Sequence, residues 1–80
     1  MYEKGDGVEQ NWSQAVAMYQ MAAEKGDAQG QFNLAWCYYN GKGVNKNLKE
    51  ATKWFQKAAD QGNEGARKWL NTMAMRNELY

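Results

Sequence analysis

The chain has no histidine and no proline, one cysteine and one serine. Without histidine, the commonest general base and metal ligand is missing. The lone Ser13 is followed three residues later by Val16, so no S-x-x-K nucleophile pattern exists. Cys37 has no second cysteine with which to form an intrachain disulfide, which favours a reducing compartment. No charge surplus is present either: 10 Lys and Arg stand against 9 Asp and Glu, giving +1. That balance argues against a nucleic-acid partner and against a polybasic membrane anchor. The longest apolar run, Leu34 to Tyr39, is far below the roughly 20 residues that span a bilayer. These absences point to no cofactor, no metal and no enzymatic activity. The scattered carboxylates Glu3, Asp6, Glu24 and Asp60 read as solvated or capping groups, and Cys37 reads as a core filler.

What is present is globular. The 80 residues suffice for one small domain, and 44% of them are hydrophobic, with aromatics at 14%. Four Trp and five Tyr make the aromatic share high.

A glycine motif occurs twice, as Gly5-Asp6-Gly7-Val8 and Gly41-Lys42-Gly43-Val44, 36 residues apart. The same shift superposes Tyr2 on Tyr38, Ala15 on Ala51, Gln20 on Gln56 and Ala22-Ala23 on Ala58-Ala59. It also superposes Gly26 on Gly62 and Leu34 on Leu70. A fixed period of this size is the mark of stacked repeats. A phosphate-binding loop needs a strand before it, and neither copy has a β-branched run ahead of it. The motif therefore reads as a turn between helices, with Val44 plugging it into the core.

Each unit reads as two helices. Asn11 with Gln14, and Asn47 with Glu50, resemble capping boxes. Behind them run Ala15, Met18, Tyr19, Ala22, Ala23 and, in the second copy, Ala51, Trp54, Phe55, Ala58, Ala59, both at helical spacing. Gly26 and Gly62 suit the left-handed position after a helix, and Asp27 and Asn63 open the next one. The expectation is an all-α fold of four helices, about 11–25, 27–40, 47–61 and 63–77.

These residues resemble the Sel1-like repeat, a relative of the tetratricopeptide repeat. The resemblance rests on Leu34, Tyr38, Gly41, Gly43, Val44, Ala51, Trp54, Phe55, Lys57, Ala58, Ala59 and Gly62. Gly30, Ala35, Asn71 and Ala74 depart from the pattern. The resemblance implies a right-handed helical-hairpin solenoid of about two repeats, forming a single domain over 1–80 that begins and ends mid-repeat. Met1 and Tyr2 would be the last scrap of an earlier helix.

It also implies a protein or peptide partner on a concave face. The inward positions would be Gln29, Phe32, Trp36, Tyr39 and Asn40, with Lys68, Thr72, Met75 and Arg76 in the last helix and Glu3 and Lys4 in the first scrap. With Leu34, Ala35, Cys37 and Tyr38 assigned to the core, Phe32, Trp36 and Tyr39 are expected to point off it. Either neighbouring helices cover those rings or a partner does. The alternative role is a structural one, as a self-associating scaffold segment of a longer array; a binder of cell-wall fragments or an enzyme is more remote. By the same resemblance a soluble protein of the bacterial cytoplasm or periplasm is expected. The end helices should leave flanks uncovered, including sides of Trp69, Leu70 and Met73, and a closed homodimer through those ends is the favoured arrangement.

Overall fold

The computed structural model describes residues 6–78, and among them every regular element is helical. The order is α1 (Asp6–Glu24), α2 (Ala28–Asn40), α3 (Leu48–Asp60) and α4 (Glu64–Met75). Each helix packs mainly on the next one in the chain. Met1 to Gly5, with the expected Tyr2 scrap and the inward positions Glu3 and Lys4, lie outside the described residues.

Local chemistry sets three of the four helix starts. Asp27, Asn47 and Asn63 hold extended backbone, and their side chains accept from the amides of Gly30, Glu50 and Ala66 at 2.9, 3.1 and 2.8 Å. Such a cap satisfies an amide that the helix cannot. The two turns that precede α2 and α4 are copies of each other. Gly26 and Gly62 sit at φ +93° and +94°. The amides of Asp27 and Asn63 reach back to the carbonyls of Ala22 and Ala58 at 3.0 and 3.1 Å.

The first helix departs from expectation. It runs from Asp6, so Gly7, Val8 and Asn11 are helical, and Asn11 is no N-cap. The reason lies in what holds the later copy of the loop. Gly43 has φ +77°, and a Cβ placed there would fall 2.6 Å from the Trp12 carbonyl oxygen and 2.8 Å from Val16 Cγ2. The turn at 41–44 is thus seated directly on α1. Among the described residues, Gly7 has no earlier helix to sit on, so helix propagation from the segment after it prevails.

The core holds Leu34, Ala35, Cys37, Ala51, Phe55, Ala58, Ala66 and Met73, all essentially inaccessible, with Val16, Ala23, Tyr39 and Trp54 beside them. Val44 is half-buried against this cluster. Three residues correct the sequence reading. Met73 is fully buried rather than bare, and Tyr39, not Tyr38, is the buried tyrosine of α2. Met18, read as part of an apolar stripe, is 68% exposed. Burial also pushes the Cys37 thiol above its ordinary pKa, in keeping with a core filler.

Candidate functional site

Helix α2 is the only one of the four with no charged side chain. Along it, the inward positions fall into two groups. Phe32 and Tyr39, seven residues apart, turn towards α3 and α4. Phe32 meets Phe55 with ring centroids 5.8 Å apart, and its Cε1 lies 3.1 Å from where a Cβ on Gly65 would be. Tyr39 meets Trp69 at 5.0 Å, and Trp69 in turn stacks on Phe55 at 5.8 Å. Neighbouring helices therefore cover Phe32 in part and Tyr39 almost wholly, at 8% exposure. The expectation that Tyr39 points off the core is corrected. Trp69 and the turn after α4 reach across to close over it.

The Tyr39 hydroxyl is bound on both sides. It donates to Glu78 Oε1 and accepts from Arg76 Nη1, both at 2.7 Å. The Glu78 carboxylate that accepts this hydrogen bond raises the Tyr39 pKa, and burial adds to this, against the opposing pull of the guanidinium. This cluster fastens the end of α2 to the end of α4. It is a structural tie, with the polar groups satisfied by each other.

The second group faces outward. Gln29 and Asn40 are exposed, with half-buried Asn33 and Trp36 between them. Gln29 Nε2 donates to Asn33 Oδ1 at 3.2 Å, and Asn40 Nδ2 donates to the Trp36 carbonyl at 3.0 Å. The Trp36 ring is stacked on Trp12 of α1, with centroids 5.4 Å apart and planes at 30°. One face of the indole pair is therefore secured against the fold while part of it stays accessible. On α4, Lys68 is exposed and Thr72 half-buried, and Met75 and the C-cap residue Arg76 are exposed.

Trp12 and Asn33 were not picked out from sequence. Trp12 lies in register with Leu48, which hid its role; Asn33 stands four residues from Gln29, and helical spacing alone could have found it. Tyr39 and Phe32 belong more to the core than to this strip. No group of three or more His, Cys, Asp or Glu side chains that could hold a metal ion exists among the described residues. No described helix is long and apolar enough to cross a membrane.

Against protein-family models, the Sel1 repeat matches twice, over residues 1–27 and 28–63. Neither a curated protein nor a solved structure matches the chain. Sel1 repeats are helical-hairpin solenoids and non-catalytic scaffolds, and they generally mediate protein–protein interaction.

Proposed function

The chain belongs to the Sel1 repeat family, and on that premise we propose that it binds a protein or peptide partner along the outward strip of α2, with α4 beside it. The observation that carries this reading is the Trp12–Trp36 stack. A tryptophan held rigidly by a second ring loses little freedom on binding, and Trp is the residue most enriched among interface hot spots. Around it, the amides of Gln29, Asn33 and Asn40 can donate to and accept from a peptide backbone. Lys68 and Thr72 supply the polar rim on α4. Tyr39 and Phe32 act from beneath, holding α2 and α4 in place.

The experiment is a comparative capture of partners by three tagged proteins: wild type, Trp36→Ala and Lys49→Ala, the last on the exposed side of α3. Circular dichroism establishes that each is folded. A protein retained by wild type and Lys49→Ala and lost with folded Trp36→Ala supports the α2 strip. Retention by all three places the interface elsewhere.

A further inference from the structure

The 36-residue period lets each end of the stack be compared with its own interior. In the α2–α3 hairpin, Leu34 and Phe55 are sealed and Trp54 is 9% exposed. One period away stand Leu70, Tyr19 and Met18. Leu70 and Tyr19 are only half-buried, and Met18 is 68% exposed, with Met21 one turn on at 59%. Beside Leu70 a groove of about 300 Å³ runs between α3 and α4, lined by Gln56, Ala59, Asp60, Arg67, Leu70 and Asn71. Among the described residues, α1 lacks what α2 supplies to α3, and α4 lacks what α3 supplies to α2. These are the two halves of one contact.

We propose that α4 of one copy receives α1 of a second copy, so that the α2–α3 contact is repeated between chains, head to tail. The faces used are separate from the Gln29–Asn40 strip, and the proposal does not depend on that strip binding anything. A head-to-tail contact leaves one free face of each kind at every step, so association continues beyond the dimer. The driving term is burial of the Met18 and Leu70 side chains.

The same register predicts one unfavourable pair. Inside the chain, Gln61 Nε2 donates to Gln31 Oε1 at 2.9 Å. One period away, that pair becomes Lys25 of the incoming copy and Arg67 of the receiving one. Both are exposed cations. The junction is thus apolar at its centre and repulsive at this edge, so added salt strengthens it by screening. Reversing the sign at Lys25 converts repulsion into attraction.

The test is sedimentation velocity over a micromolar concentration series, at low and high salt. It uses wild type, Met18→Asp and Lys25→Glu, with circular dichroism to confirm that each is folded. The expected result is a wild-type average mass that keeps rising past the dimer and rises further with salt. Met18→Asp, altered at an exposed position, stays monomeric with unchanged helix content. Lys25→Glu associates about two- to fivefold more tightly at low salt, the scale of an exposed ion pair. A wild type that is monomeric throughout, or that levels off at the dimer as a closed two-fold pair would, overturns the proposal. So does a Lys25→Glu variant that associates no better than wild type.

Discussion

The hydroxyl of Tyr39 donates to Glu78 Oε1 in a 2.7 Å hydrogen bond that joins residues 39 apart in the chain. Because this bond exists only while the phenol is neutral, the folded state holds the proton more tightly than the unfolded one does. The sign follows from linkage. A raised folded-state pKa adds stability that is fully present below the ordinary tyrosine value of about 10 and is lost as pH rises through the folded value. Thermal melts are expected to show a fall in Tm at alkaline pH that is smaller in Tyr39→Phe. Equal alkaline slopes in the two proteins would dissociate Tyr39 from the effect.

Gly43 and Gly62 both have positive φ but differ in surroundings. A Cβ at Gly62 meets nothing within 4 Å, whereas one at Gly43 strikes the Trp12 backbone. Gly62→Ala should therefore cost about 1 kcal/mol, from backbone strain alone. Gly43→Ala should cost about 2 kcal/mol or more, since α1 or the loop must also move. Gly43→Val adds a β-branch at a left-handed position and should be worse still. Urea unfolding of the three variants measures this order, and equal losses at 43 and 62 would mean the loop does not press on α1.

Truncating the same register position in the two α3-type helices should give unequal results. Phe55 is sealed by α2 and α4, while Tyr19, its counterpart in α1, is half-buried. Phe55→Ala should cost about 3–5 kcal/mol, a large share of the stability of a domain this size. Tyr19→Ala should cost clearly less in the same denaturant titration.

Trp36→Ala removes a ring stacked on Trp12. The loss of this partly exposed contact should lower stability by about 1–2 kcal/mol, leaving a folded protein. On the reading proposed above, partner affinity should fall by about 2 kcal/mol or more, roughly thirtyfold in Kd. Melting and titration calorimetry on one preparation separate the two effects; a variant that no longer folds would make Trp36 a core residue.

Much of the architecture was legible in the sequence because its signals are local and repeated. Asp27, Asn47 and Asn63 announce helix starts by side-chain chemistry, and Gly26 and Gly62 announce ends by backbone freedom. What was not legible depends on contacts between distant residues. The turn at 41–44 and the segment at 5–8 share a motif, yet among the described residues only the former is seen seated on a helix, and the chain at 7–11 is part of α1. Spacing along α2 placed Phe32, Trp36 and Tyr39 on one side, but could not say that Trp69, Arg76 and Glu78 would close over the last of them. The end of α4 held a similar surprise. Asn77 takes φ +62° in the register of Gly41, and the amide of Glu78 bonds the Met73 carbonyl at 2.8 Å, as Lys42 bonds Cys37 at 2.9 Å. No glycine marks that turn.

The nearest-neighbour packing of the four helices bears on speed as well as shape. The extensive contacts join α1 to α2, α2 to α3 and α3 to α4, with none of comparable extent between the first helix and the last. Folding then depends mainly on contacts between helices that follow one another in the chain. Each hairpin can form as soon as its two helices exist, and the next adds to it with only a short turn to close. Helical domains rich in local contacts fold in roughly microseconds to milliseconds. The same arrangement sets where the molecule loosens first. Each end helix is fastened mainly on one side, so α1 and α4 should exchange their amide hydrogens ahead of the α2–α3 hairpin they enclose.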